Sequence, residues 1–419
     1  MATAEIHPEP GILRLLADRQ IRYFCLTIVL LAFLSGAIRT AIPLIATGAG
    51  YSVTGVSWAQ GLFSASWPIF GLIAGTMIDR SDKGEIIRRG VIVFVTVQLG
   101  VLALFVAGAL PPAHVFVYAV ISGILVVSAE AFMLSIPPLI LAGNRLATFY
   151  GIALFLDYGF SFFAGPIVAS LVLASGFEQF LILIVATLLA IGLAAARGVP
   201  DLPCSSRAER VDGAYVLAGF RFLAGHAHLK ALTTLTFFLS VTFGAFLTLF
   251  IFFVTDPDHL GLDDSAYGLM FSAYAAGAML GAVGLRHLVG ATGIRTAVIV
   301  DGVGTAALLV VPVLTRSPLV VWFCTFLAGV GLSLWFVSVT TFRQRLTPAA
   351  IMGRANSAFR VVGYAGMPVG SLMVGVIGGL ASLETAAITI AVMLLAALAT
   401  VLPRLWSIDR YSADADAHP

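Results

Sequence analysis

Charge is scarce in this 419-residue chain: 11% of residues are Asp, Glu, Lys or Arg, against 60% hydrophobic. Ordinary soluble domains carry about a quarter charged residues, so a water-soluble globular protein is excluded at the outset. Cysteine is scarce too. Cys25, Cys204 and Cys324 are far apart and odd in number, which fits neither a disulfide framework nor a CxxC metal site. Lysine is limited to Lys83 and Lys230. Histidine does not enter the long apolar runs: His7, His114, His226, His228, His259, His287 and His418 fall in termini, loops or run ends, so no imidazole relay is expected across them. GxSxG, HExxH, a Walker loop and clustered Cys/His are all missing. No enzyme, cofactor, metal or nucleic-acid partner is expected.

What is present is apolar length. Mean hydropathy is +1.03, and runs of roughly 20 apolar residues recur, enough to cross a ~30 Å hydrocarbon core at 1.5 Å per helical residue. In lipid the backbone satisfies its own hydrogen bonds, so these runs are expected as helices. Barrel strands would alternate polar and apolar residues, and these runs do not. An all-α polytopic membrane protein follows, with the lipid bilayer as its partner.

Twelve spans are expected, at 22–47, 52–78, 88–109, 113–136, 147–174, 178–196, 230–255, 264–286, 295–314, 318–341, 355–379 and 384–403. The polar stretch 197–229 holds Pro200, Pro203, Arg197, Asp201, Arg207, Glu209, Arg210 and Asp212. It splits the chain into an N-terminal bundle (22–196) and a C-terminal bundle (230–404), flanked by segments 1–21 and 405–419. The first twenty residues are polar and the run after them is too long for a signal h-region, so no cleavable signal peptide is expected.

Lys and Arg accumulate in cytoplasmic loops. With an inside N-terminus, all but Arg39 and Arg316 fall on the cytoplasmic side, whereas the outer 256–264 loop carries Asp256, Asp258, Asp263 and Asp264. Both termini are therefore expected in the cytoplasm. The stretch GTMIDRSDKGEIIRRG (75–90) becomes an inner loop, and topology alone accounts for most of its charges.

Its spacing nevertheless recurs 206 residues later, where Gly71, Gly75, Arg80 and Arg89 correspond to Gly277, Gly281, Arg286 and Arg295. AGPIVASLV (164–172) is echoed by AGMPVGSLMV (365–374) at an offset near 200. Two six-helix halves related by a parallel repeat are the layout of a rocker-type secondary transporter. The paired glycines permit close helix contact.

GTMIDRSDKGEIIRRG resembles the loop 2–3 signature of the major facilitator superfamily, with Asp79 and Arg80 at its core and Gly71 and Gly75 on its packing face. The resemblance implies the twelve-helix major facilitator fold, transport by alternating access, and a cytoplasmic latch made by this loop. Leu285 replaces the acid in the second copy, which implies a weaker latch there. AYVLAGFRFLAGHAHLKALTTL (214–235), AYGLMFSAYAAGAMLGA (266–282) and FRQRLTPAAIMGRANSAFRVVGYAGMPVGSLMVG (342–375) resemble the enterobactin-exporter and macrolide-efflux branch. That implies proton-coupled export of a siderophore-like or drug-like amphiphile from a bacterial inner membrane, with multidrug resistance among the expected phenotypes and a monomer as the working unit. Of the helix 5 antiporter signature, Gly151, Gly159, Gly165 and Pro166 are present, while Ala169 and Ser170 stand where paired glycines are expected. An importer or uncoupled facilitator stays open. So does a membrane enzyme or sensor on the same scaffold, although the tail after Trp406 is too short for a soluble sensor domain.

Ionisable groups inside spans cost about 2.5–3.5 kcal/mol each on insertion scales and are functional suspects. Asp157 lies about 17 Å deep, counted from Leu146 at 1.5 Å per residue. A carboxyl in an apolar medium holds its proton more tightly, so Asp157 is a candidate proton carrier, with a structural hydrogen-bonded Asp as the plainer reading. Glu130 is the second carboxyl, its plainer role a pair with an inner-loop arginine such as Arg145. Arg39, about 24 Å along its helix, would bind an anionic substrate group or pair with Asp157. Asp301 is expected early in its helix, near Arg295, in a structural role. The resemblance assigns helices 1, 4, 7 and 10 to the central cavity, giving Thr236, Phe237, Ser240, Phe243 and Phe246, then Trp335, Phe336 and Ser338, with Tyr274 and Tyr364 added from helices 8 and 11. Apolar and aromatic with a few hydroxyls, that lining suits a bulky amphiphile better than a sugar.

Overall fold

A computed structural model describes residues 17–80, 83–109, 113–135, 141, 149, 152–153, 155–198, 213–284, 286–348 and 351–417. Among the described residues, twelve long helices fall within or across the expected spans. In the first half they are α1 (Arg19–Gly48), α2 (Val53–Arg80), α3 (Lys83–Val106), α4 (His114–Ser135), α5 (Phe155–Ser175) and α6 (Phe177–Gly198). The short helix α7 (Gly213–Gly225) lies within the polar stretch. The second half comprises α8 (Ala227–Thr255), α9 (Asp264–Gly284), α10 (Arg286–Leu314), α11 (Pro318–Leu346), α12 (Met352–Leu380) and α13 (Leu383–Ala417). The protein is an all-helical membrane-spanning chain. We call the face where α1 begins the near face and the other the far face. Far-face reversals are tight because Gly50, Gly108, Gly176 and Gly261 take positive φ, the left-handed region that only glycine enters without strain.

Each half has its own apolar core. One draws on residues between Ile21 and Ala195, around Phe24, Phe63 and Phe180. The other runs from Leu223 to Val401, around Phe246, Phe250 and Phe271, and takes in Leu44 of α1. The repeat is visible in the backbone. A methyl group on Gly36 (α1) would collide with the Ser161 carbonyl of α5, and one on Gly165 (α5) would meet the Phe33 carbonyl of α1. Likewise Gly244 (α8) abuts Met367 of α12, and Gly370 (α12) abuts Val241 of α8. Gly366 of α12 meets the Phe237 carbonyl and the Val241 nitrogen of α8 as Gly165 meets the Phe33 carbonyl and the Ala37 nitrogen of α1, so the backbone keeps the correspondence written in the sequence. A π-helical turn spans Gly159–Ala164 in the first copy.

The halves meet along two seams that reach the far face. On the first, Ser170 Oγ of α5 donates to the Ser265 carbonyl of α9 at 3.2 Å, and Gly268 of α9 leaves room only for the Pro166 carbonyl and Ser170. On the second, Thr54 Oγ1 of α2 donates to the Gly375 carbonyl of α12 at 3.3 Å, with Gly61 against Leu372. Both echoing segments, 164–172 and 365–374, thus lie on the seams.

One boundary differs in a way that matters. α10 begins at Arg286 rather than near residue 295, because Gly290 and Gly293 do not interrupt it. Asp301 is therefore about 22 Å along its helix at 1.5 Å per residue, and not early in it.

Candidate functional site

The Gly36 and Gly165 contacts bring α1 hard against α5, and Arg39 emerges one turn beyond Gly36. It is 8% exposed. Its guanidinium carbon lies 4.6 Å from the centroid of the Phe162 ring on α5 and 5.9 Å from that of Trp67 on α2. Its Nη2 is 3.7 Å from Glu130 Oε1 on α4. Trp67 Nε1 donates to Glu130 Oε2 at 2.9 Å. Four helices, α1, α2, α4 and α5, therefore hold one ion pair within one aromatic bracket.

Glu130 pairs with Arg39 inside the bundle; Arg145, the loop arginine expected for it, lies outside the described residues. Arg39 makes its ion-pair contact with Glu130 and not with Asp157. Depth counted along the backbone hid the match, since Arg39 is close to the far end of α1 and Glu130 close to the near end of α4. Helical side chains lean toward their own N-terminus. Because α1 and α4 run in opposite directions, Arg39 leans to the near face and Glu130 to the far face, so the two meet.

Asp157, half-buried on α5, accepts a hydrogen bond from Ser161 Oγ at 2.9 Å. It is within electrostatic reach of Arg39 but outside ion-pair contact among the described residues. Ser161 and Phe162 both belong to the π-helical turn, a feature found often at functional sites. The turn sets Asp157, Ser161 and Phe162 toward α1 together.

Toward the far face, aromatic rings cover the cluster and cross between the halves. Phe162 of α5 lies 6.2 Å from Phe271 and 6.0 Å from Tyr274, both on α9. Tyr274 is 5.5 Å from Phe243, and Phe246 is 5.8 Å from Phe271, extending the layer onto α8. Of the other expected lining residues, Thr236 and Ser240 face α12 at Gly363 and Gly366, and Phe237 lends its carbonyl to that contact. Trp335 is buried in the C-terminal core, while Phe336 is 41% exposed. Ser338 is buried with its hydroxyl unpartnered. Tyr364 packs against the core of the opposite half.

The expected latch is only partly in view. The side chains of Gly75, Asp79, Arg80 and Arg286 lie outside the described residues. Arg89 pairs with Glu85 of its own helix at 2.5 Å on the surface, a contact one helical turn long that holds nothing across the halves. Gly277 and Gly281 pack α9 against Phe326, Val330 and Ser333 of α11. A methyl group placed on Gly71, their counterpart, would have no neighbour within 4 Å. The shared spacing therefore performs its packing role in the second half, and not at Gly71 in the first. Arg295 is half-buried on α10.

Sequence reasoning passed over Trp67, Ser161 and Phe162, whose roles come only from facing Arg39 and Asp157. It also dismissed Asp301, which is 3% exposed, receives a long 3.5 Å hydrogen bond from Thr305, and sits with its Cα against Gly331 of α11.

Two six-helix halves repeating one packing scheme, with a buried charge cluster where they meet, define a membrane transporter and not an enzyme. The sequence profile described as the Major Facilitator Superfamily matches residues 24–371, and the chain belongs to that family. Its fold is similar to a crystal structure of a variant of the nucleoside transporter NupG, at TM-score 0.71 and 13% identity over 92% of this chain and 99% of that one. A bacterial homologue of the iron transporter ferroportin in an inward-facing state gives 0.66 and 16%, over 94% and 100%. A bacterial homologue of the human lysosomal transporter Spinster, inward-facing and unoccupied, gives 0.65 and 14%, over 91% and 96%. No curated protein matches the chain.

Proposed function

We propose that this transporter exports a siderophore-like or drug-like amphiphile across a bacterial inner membrane by alternating access, driven by proton entry, with the near face and both termini cytoplasmic. The observation that carries the reading is the Arg39–Glu130 pair with Asp157 beside it, under an aromatic layer shared by both halves. One cation placed among two carboxyls can hold either one charged, so the other is available to take a proton. The aromatic layer offers apolar faces to the body of an amphiphile. Both seams join the halves toward the far face, which fits loading from the near face. The similar folds above are named for unlike cargoes, so they leave the substrate to the site itself.

An uncoupled facilitator is the second reading, favoured by the same ion pair: a carboxylate already answered by an arginine resists protonation. Proteoliposomes loaded with a fluorescent amphiphile under an imposed pH gradient separate the two. Gradient-driven movement that Asp157→Asn abolishes, with binding retained, supports antiport at Asp157. Movement that survives this change but not Glu130→Gln assigns the proton to Glu130. Movement indifferent to the gradient in the wild type overturns antiport.

A further inference from the structure

The near-face part of the interface holds positive charge that the carboxyls above it do not answer. Arg343 sits in the last turn of α11 and Arg360 in the near-face half of α12. The Arg343 guanidinium carbon is 4.2 Å from the centroid of the Phe359 ring, and that of Arg360 is 5.7 Å from the Tyr364 ring. The two cations are close enough to repel each other, and Arg360 senses Glu130 on the opposite half. Among the described residues neither has a carboxylate within ion-pair distance. Arg343 Nε and Oδ1 of Asn356 on α12 are buried without a hydrogen-bond partner.

A helix C-terminus favours cations, and basic residues at a membrane surface anchor topology. Arg345 meets both needs, being exposed two residues further on. Arg343 instead turns inward onto Phe359. Bringing two guanidiniums together in a medium of low dielectric is unfavourable; cation–π contacts soften that, and an anion between the two would remove it. Tyr364, which carries Arg360, packs on the core of the opposite half, so the pair adjoins the seam. Further in, Arg39 Nη1 is also buried without a partner.

We propose that Arg343 and Arg360 form an anion-binding station that receives the carboxylate, sulfonate or phosphate group of an amphiphilic substrate at the near face and passes it toward Arg39. This rests on the transport reading above and narrows its substrate class to anionic amphiphiles. Phe359 and Tyr364 brace the guanidiniums, while the Phe162–Tyr274 layer takes the apolar body.

The test uses the full-length protein in phosphatidylcholine nanodiscs, with dansylglycine and dansylamide as probes sharing an aromatic body and differing in the carboxylate. Energy transfer from the tryptophans reports binding. The wild type is expected to bind dansylglycine at least tenfold tighter than dansylamide. Arg343→Gln/Arg360→Gln should lose that preference and bind dansylamide as before, while Arg343→Lys/Arg360→Lys should keep most of it. Should the Gln pair fail to give monodisperse protein, the Lys pair and single Gln variants carry the same comparison. A wild type without a carboxylate preference overturns the station, as does a Lys pair no better than the Gln pair, or loss of both probes together. Added phosphatidylglycerol that displaces dansylglycine would assign the station to a lipid headgroup and overturn its substrate role. Gradient-driven transport of an uncharged amphiphile alongside absent carboxylate preference would retain the transporter reading and remove the station alone.

Discussion

Removing the charge of Glu130 should destabilise the protein more than removing the whole ion pair. At 3.7 Å and an effective dielectric of 20, the Arg39–Glu130 attraction is about 4.5 kcal/mol. Desolvating both groups cancels most of that, so replacing a buried pair with apolar groups of similar size is often neutral. Breaking one side is different, because it strands the partner, typically at about 3–5 kcal/mol. Glu130→Gln keeps an acceptor for the Trp67 N–H but leaves Arg39 charged and 8% exposed. Asp157 stays within electrostatic reach, so the loss should fall near the lower end, about 3 kcal/mol. Arg39→Met/Glu130→Gln should lie within about 1 kcal/mol of the wild type, giving a coupling of about 2 kcal/mol or more. Reversible denaturant unfolding of the wild type, both single variants and the double variant in mixed micelles supplies the cycle. If the two single effects simply add, to within about 0.5 kcal/mol, the contact is not an energetic ion pair and the reasoning fails.

Two further outcomes follow from the glycines. Gly277→Ala would press a methyl group into the Phe326 carbonyl and should cost about 1–3 kcal/mol as overpacking. Gly71→Ala meets nothing within 4 Å and should be neutral or stabilising by up to about 1 kcal/mol through helix propensity; thermal unfolding of the two variants checks the opposite signs, and equal effects would refute the asymmetry between the copies. Gly268→Val would wedge the α5–α9 seam apart at Pro166 and Ser170, so spin labels at the far ends of α5 and α9 should show a longer distance population by pulsed electron paramagnetic resonance. An unchanged distribution would mean that this seam does not set the closure of the far face.

The spans were legible because a bilayer leaves the backbone one economical solution and the apolar runs announce it. The repeat was legible for the same reason in its glycines, and Gly165 and Gly366 make the same contact in the two halves. The site was legible only as a set of separate charges. Arg39, Glu130 and Asp157 stood out in apolar runs, but their pairing depends on side-chain lean between antiparallel helices, which backbone depth does not report. Trp67 and Phe162 carried no signal of their own, because an aromatic residue in a membrane helix looks the same whether it faces lipid, core or a guanidinium.

Charge placement in this chain follows which half must be answered by which. In the first half Arg39 is matched by Glu130 on α4 and approached by Asp157 on α5, so its cation is nearly neutralised within one rigid bundle. In the second half Arg343 and Arg360 are braced by aromatic rings of α12 and have no such acid among the described residues. Arg360 is within electrostatic reach of Glu130, across the interface. Glu130 is therefore shared by cations on both halves, in contact with one and at a distance from the other. Any rocking that changes the distance between the halves changes the second interaction while leaving the first intact. On the proposed mechanism, proton or substrate occupancy at Glu130 would act electrostatically on the relative position of the two bundles.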